Sequence, residues 1–168
     1  MLARWRVTLG YVLGIVAFWL TDPTAASLVY GAAVGAAGEA LRIWAAGHLE
    51  KGREVTISGP YALTRHPLYL GSSIMGAGLA IAGRSIEAAV LIFVYLTVTI
   101  AAAIRAEEAH LTEKFGARYP AYRQGSAGSA DRSFSLARAT RNREYRALAG
   151  YIAVLALLGA KYFVMHVV

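Results

Sequence analysis

Five stretches of the chain run almost without charge, at residues 7–21, 25–47, 67–82, 86–104 and 147–168. Each approaches the roughly 20 residues an α-helix needs to cross about 30 Å of hydrocarbon. None shows the apolar–polar alternation of a barrel strand, and a helix in lipid satisfies its own backbone groups, so spanning helices are predicted. The first stretch is the shortest, with Trp5 and Trp19 at its ends in the positions of interfacial anchors. Arg4 and Arg6 ahead of an apolar run also suit a signal peptide. No small-x-small cleavage site closes that run near Trp19–Pro23, however, and "TDPT" reads as a tight turn, so a first spanning helix is the expectation.

The polar intervals carry the punctuation. In "SGPYALTRHPLYLG", Gly59-Pro60 makes a turn. Pro67 biases His66 away from helical geometry and itself suits the first helical position, where its missing N–H costs nothing. Helix four is expected to continue past the membrane as an amphipathic stretch, "EEAHLTEKFGARYPAYR" (107–123), with Leu111 and Phe115 on one face and interruptions at Gly116 and Pro120. Residues 125–135 read as a polar Gly/Ser-rich loop, and "RATRNREYR" (138–146) as a basic lead into helix five that could lie on the headgroups. In helix two, "GAAVGAAG" (31–38) is a small-residue face, with Gly31 and Gly35 at the spacing for close helix packing.

Composition agrees with the pattern: 57% of the 168 residues are hydrophobic and only 16% charged, against about 25% in soluble domains. The fold class expected is all-α, a polytopic transmembrane helical bundle of about five spanning helices forming one membrane domain over 1–168. The absence of cysteine excludes disulfides and thiolate nucleophiles, and the four histidines form no metal-ligand pair. The net charge of +7 invites a nucleic-acid partner, but its distribution points to topology instead. Arg4, Arg6, Lys51, Arg53, Arg65 and the nine Lys and Arg between 105 and 146 fall on one side; the opposite loops, 22–24 and 83–85, hold only Arg84. The positive-inside rule places the basic side in the cytoplasm, facing anionic membrane lipids, with no nucleic acid needed. A prokaryotic inner membrane, with the N-terminus and site cytoplasmic and the C-terminus outside, is the expected location.

This topology folds helices three and four into a hairpin that returns Glu107 and Glu108 to the level of Arg65 and His66. Ionisable groups at the rim of a helical bundle are a functional-site hypothesis by default. Free N–H groups at the start of helix three, with Arg65, make an anion pocket; an ordinary helix start with a snorkelling Arg65 is the plainer reading. Adjacent glutamates point about 100° apart, so one is expected to reach the site while the other meets solvent or an arginine such as Arg105. Tyr119 and Tyr122 could line a pocket or anchor at the interface. Glu39 and Arg42, three apart on helix two, read either as a self-neutralising pair or as a substrate contact. Lys161 can snorkel outward.

"LRIWAAGHLEKGREVTISGPYALTRHPLYLG", followed by the hairpin and "EEAHLTEKFGARYPAYR", resembles the isoprenylcysteine carboxyl methyltransferase and phospholipid methyltransferase group of membrane enzymes. The resemblance covers roughly residues 38–123 and rests on Arg65-His66-Pro67-x-Tyr69, Glu107-Glu108 and Phe115-Gly116-x-x-Tyr119-x-x-Tyr122. It implies a cytoplasm-facing S-adenosylmethionine site, with S-adenosylhomocysteine as product. His66 and the helix start at Pro67 would hold the cofactor's carboxylate, one of Glu107 and Glu108 its α-ammonium, and Tyr69, Leu70 and Gly71 its adenosine part. Arg65 would lie toward the acceptor or the methionine carboxylate, and Arg65 and Glu108 stand nearest the chemistry. Glu39, Arg42, Arg65, Tyr119 and Tyr122 are the expected contacts to a lipophilic small-molecule or lipid substrate. The chain departs from the group in two places. "GAAVGAAG" stands where the phospholipid branch carries a Gly-x-Gly. A basic loop and helix five (124–168) follow the core, as an extra wall, a lid or a homodimer contact.

The implied reaction is methyl transfer to a lipophilic acceptor, an isoprenylcysteine-type carboxylate or a lipid amine. Two rivals stand beside it: a nicotinamide-dependent membrane reductase, and a small transporter built on Glu39 and Arg42.

Overall fold

The computed structural model describes residues 2–125 and 132–166. Outside them lie residues 126–131 of the Gly/Ser-rich loop and the last two of the final apolar stretch; the side chains of Arg4, Trp5 and Arg6 are also outside the description. Among the described residues the fold is all-α: α1 Leu2–Leu20, α2 Ala25–His48, α3 Pro67–Gly83, α4 Ile86–Phe115, α5 Arg118–Arg123, α6 Leu136–Arg141 and α7 Tyr145–His166. A single 3-10 turn, Gly59–Ala62, interrupts the segment between α2 and α3. Two helices, α4 and α7, are long and apolar enough to cross a membrane; α3 and the Thr8–Leu20 part of α1 are shorter apolar helices. Large apolar side chains such as Trp19, Tyr30, Val98 and Ile152 stay exposed along α1, α2, α4 and α7, the outward surface expected of helices solvated by lipid.

The helix ends follow local chemistry. Thr24 caps α2 in a reciprocal box: its hydroxyl accepts from the Ser27 N–H at 3.1 Å while the Ser27 hydroxyl accepts from the Thr24 N–H at 2.9 Å. Arg84 in the left-handed region closes α3, and Ser85 caps α4 by accepting from the Ala88 N–H, so the hairpin turns in two residues. At that end Asp22 pairs with Arg84 at 2.9 Å, joining the two far loops.

The α2–α3 contact is backbone against backbone, as the small-residue face predicts. A Cβ on Gly31 would strike the Gly78 carbonyl, one on Gly78 would strike the Gly31 carbonyl and Gly35, and one on Gly38 would strike the Gly71 carbonyl. Only glycine allows this approach, which replaces side-chain packing with close van der Waals contact.

Polar bonds seat α7 against this pair. The Asn142 amide donates to the Ala46 and Leu49 carbonyls at 2.9 Å each, and the Tyr151 hydroxyl donates to the Gly31 carbonyl at 2.9 Å. Lys161 does not snorkel outward. Its ammonium donates to the carbonyls of Phe18, Trp19 and Thr21 at 2.7, 3.0 and 2.7 Å, at the negative end of α1, where the Phe18 carbonyl also accepts from the Thr21 hydroxyl. The basic lead into α7 is likewise drawn onto the protein. Arg138 and Arg141 bond Glu50 at 2.9 and 3.1 Å, and Arg138 also donates to the Gly47 carbonyl at the end of α2. Burial alone would raise the Glu50 carboxyl, but Arg141, Arg138 and Arg132 outweigh it and hold the group below its ordinary value.

Candidate functional site

The α3–α4 hairpin brings the basic corner and the acidic doublet together. His66 Nε2 lies 3.1 Å from Glu108 Oε1, where it donates to the ionised carboxylate, and Arg65 Nη1 lies 3.4 Å from the same oxygen. Arg123, on α5, stands 3.9 Å from Glu108 Oε2. His66 stands at the N-cap of α3 with a non-helical backbone, φ −131° and ψ 56°, ahead of Pro67, and its ring packs 5.8 Å from that of Tyr69.

Around this corner opens a cavity of about 420 Å³, within the size range of small-molecule sites. Of the residues singled out from sequence, Arg42, Arg65, His66, Pro67, Tyr69, Glu107, Tyr119 and Tyr122 line it. Glu107 lines the cavity, while Glu108, one helical step on and outside the lining, pairs with His66 and Arg65; Arg105 is the partner of neither. Leu70 and Gly71 do not line it. Leu70 is exposed on the outer face of α3, and Gly71 is sealed under α2, where a Cβ would meet Arg42 and the Gly38 carbonyl. A helix start presents its first residues toward the cavity and turns the next ones away, which explains the division.

The wall opposite the hairpin comes from the 49–66 segment. Gly59, at a φ of +57°, lets the chain turn directly against the His48 ring. The 3-10 turn that follows buries Tyr61, whose carbonyl accepts from the Tyr122 hydroxyl at 2.6 Å. That bond ties α5 to the turn and closes one side. Tyr119 is buried, and burial with the Glu108 charge beside it pushes its phenol up to about 12. Burial first, then the Glu107 charge, raises Tyr61 well above the usual tyrosine range. Both phenols therefore remain neutral hydrogen-bonding groups at physiological pH.

Glu39 and Arg42 are near each other, but they are not the simple pair that their spacing suggests. Arg42 Nε donates to Glu144 at 2.6 Å, and its Nη1 donates to the Ser72 hydroxyl and to the Leu68 carbonyl at 3.1 Å. Glu39 is 3.8 Å from Arg42, beyond hydrogen-bond length, and both of its buried carboxylate oxygens lack a hydrogen-bond partner. Glu144 was missed from sequence. The available signal was a lone acid inside an arginine run at the head of an apolar helix, where a carboxylate also favours the helix N-terminus.

The model of the phospholipid methyltransferase family matches residues 5–118. The match covers more than half of the chain and runs from α1 through α4, containing Arg65-His66 and Glu107-Glu108; it ends before Tyr119, α6 and α7. No curated protein and no solved structure matches. The chain belongs to the phospholipid methyltransferase family and is a membrane methyltransferase.

Proposed function

We propose that this member of the phospholipid methyltransferase family transfers a methyl group from S-adenosylmethionine to a lipophilic acceptor at the cytoplasmic face of the membrane. One observation carries the reading: the α3–α4 hairpin pairs Arg65 and His66 with Glu108 and brings both, with Glu107, to one cavity. The donor set fits a zwitterionic amino-acid end, which needs an anionic and a cationic partner side by side. Glu107 would take the α-ammonium, and His66, Arg65 and the Leu68 N–H at the start of α3 the carboxylate. Tyr69, Tyr119 and Tyr122 would flank the remaining part, with neutral hydroxyls and ring faces.

Bound there, S-adenosylmethionine supplies a methyl group already activated by a sulfonium. The new bond runs from the acceptor's oxygen or nitrogen to that carbon; the carbon–sulfur bond breaks and its electron pair neutralises the sulfur. The side chains around the cavity hold the reactants in line and exclude water, and positioning of this kind supplies about 7–11 kcal/mol. A carboxylate acceptor needs no base, whereas an amine gives up a proton, for which Glu39 and the paired glutamates are the carboxylates at hand.

In this reading α1, α2, α3, α4 and α7 all span the bilayer. The polar cavity, the N-terminus and the basic segment face the cytoplasm, and α7 ends outside. Neither the reductase nor the transporter reading has a comparable observation behind it. The test is isothermal titration of the purified protein with S-adenosylmethionine. Saturable binding to the unmodified protein, lost in Glu107→Gln/Glu108→Gln, is expected; no binding, or unchanged binding in the double variant, refutes the assignment.

A further inference from the structure

The first turn of α3 leaves one backbone donor free. Pro67 has no N–H, and the N–H groups of Tyr69 and Leu70 both donate to the His66 carbonyl, at 3.1 and 3.0 Å. The Leu68 N–H makes no bond among the described residues, and Leu68 lines the polar cavity beside His66 and Pro67. The carbonyl of the same residue is pinned. It accepts from Arg42 Nη1 at 3.1 Å and from the Ser72 hydroxyl at 2.9 Å, and Arg42 Nη1 also donates to that hydroxyl. The direction of the free donor is therefore set by a guanidinium on α2.

What holds that guanidinium comes from far along the chain. Arg42 lines the polar cavity on one side and, on the other, an apolar cavity of about 390 Å³ between α1, α3, α4 and α7. An arginine at such a boundary has room to swing, and apolar walls offer it no partner. Its Nε is fixed by Glu144 Oε1 at 2.6 Å, while Glu39 stands off at 3.8 Å. Glu144 is buried and lines neither cavity. The backbone takes an uncommon path to bring it there. Asn142 clasps the Ala46 and Leu49 carbonyls, and Arg143 turns through the left-handed region at a φ of +62°, where residues other than glycine rarely sit. Such outliers persist where the surrounding contacts over-determine them, and the product here is a carboxylate delivered to Arg42. We propose that Glu144 is a positioning residue of the polar cavity: through Arg42 it holds the first turn of α3, and so the Leu68 N–H, in place for the cofactor's carboxylate. The inference rests on the reading of that cavity as the S-adenosylmethionine site. Glu144 lies beyond the matched region 5–118, so alignment of the site draws on a part of the chain outside the family match.

The test separates reach from charge and from stability. S-adenosylmethionine is titrated calorimetrically into Glu144→Ala, Glu144→Asp and Glu144→Gln in one detergent. Glu144→Ala is expected to weaken Kd about tenfold, and Glu144→Asp, which keeps the charge but falls one methylene short, about threefold or more, the scale on which partners behind a binding group act. Glu144→Gln keeps the length and an acceptor for Nε, and should recover most of the affinity. Lys161→Met loosens the bundle at the α1 end, away from Arg42 and Leu68, and should bind the cofactor as the parent does. On an Arg42→Lys background, where a point charge replaces the fork, Glu144→Ala should cost little further, because its effect passes through the guanidinium. Without cofactor, hydrogen exchange at the Gly71 and Ser72 amides should quicken in Glu144→Ala, while amides near the Arg84 end of α3 keep their rates. Should Glu144→Ala fail to fold, Glu144→Asp against Glu144→Gln gives the same comparison. Unchanged affinity in Glu144→Ala and Glu144→Asp, a loss in Glu144→Gln as large as in Glu144→Ala, an equal loss in Lys161→Met, or additive losses on the Arg42→Lys background overturns the proposal. Failure of the unmodified protein to bind S-adenosylmethionine instead overturns the methyltransferase reading, and exchange at Gly71 and Ser72 then decides by itself whether Glu144 holds the turn.

Discussion

Removing Glu144 separates a working ion pair from a merely nearby one. Arg42 Nε and Glu144 Oε1 are 2.6 Å apart, with the Glu144 side chain 8% exposed and that of Arg42 18%. Breaking a buried pair by deleting one partner costs about 3–5 kcal/mol, because the survivor is left charged and uncompensated. Here the cost belongs at the lower end, since Glu39, 3.8 Å away, remains to balance Arg42. Glu144→Ala should therefore lose about 3 kcal/mol; at roughly 2–4 °C per kcal/mol for a chain of this size, the midpoint falls by about 6–12 °C. Glu39→Gln removes the carboxylate that lacks a hydrogen bond and relieves its repulsion with Glu144, so its midpoint should stay within about 2 °C of the parent. Differential scanning fluorimetry of both variants in one detergent gives the comparison. If Glu39→Gln costs as much as Glu144→Ala, Glu39 is the true partner of Arg42 and the reasoning from the 2.6 and 3.8 Å distances is refuted.

Three further outcomes follow from single contacts. Lys161→Met takes the shared ammonium from the Trp19 and Thr21 carbonyls, while the Phe18 carbonyl keeps the Thr21 hydroxyl, and should cost about 1.5–3 kcal/mol, seen as a lower melting midpoint with cofactor titration unaffected. Tyr122→Phe removes the hydroxyl that donates to the Tyr61 carbonyl, for a loss of about 1 kcal/mol and weaker S-adenosylmethionine binding by calorimetry, because α5 no longer holds that wall. The Glu50 carboxyl titrates below 4.5 when folded, so its contribution is present above pH 4.5 and lost as the pH falls through the lower folded value; Glu50→Gln should flatten that part of the melting-temperature profile and leave the profile above it parallel to the parent.

What was legible from sequence is what short connections determine. The α3–α4 turn occupies only Arg84 and Ser85, so two helices of 1.5 Å rise per residue must bring the start of one back beside the later turns of the other. That arithmetic sets His66 level with about residue 103, within two turns of Glu108, and the two side chains close the rest to 3.1 Å. Gly31 and Gly35 were likewise readable, because glycine at that spacing in an apolar helix has few uses other than close approach. The register of α7 was not readable. Glu144 meets Arg42 across 102 residues and Lys161 meets Phe18 across 143, separations over which no short connection fixes a register. A lysine near a helix end snorkels by default, and only the arrival of the carbonyl end of α1 beside it changes the outcome.

The anchoring of α7 also bears on what the matched region can do by itself. Residues 5–118 contain the hairpin, its acidic and basic groups and most of the polar cavity, yet Arg42, the junction to the apolar cavity, is neutralised by Glu144 from beyond that region. Tyr151 fills the space over Gly35 and donates to the Gly31 carbonyl, and four α7 residues complete the apolar lining. A bundle without this helix would expose Arg42 and Glu39 to hydrocarbon, where an uncompensated charge costs several kcal/mol. Residues of α7, beyond the matched region 5–118, thus complete the lining of the apolar cavity and hold the α2–α3 pair in place.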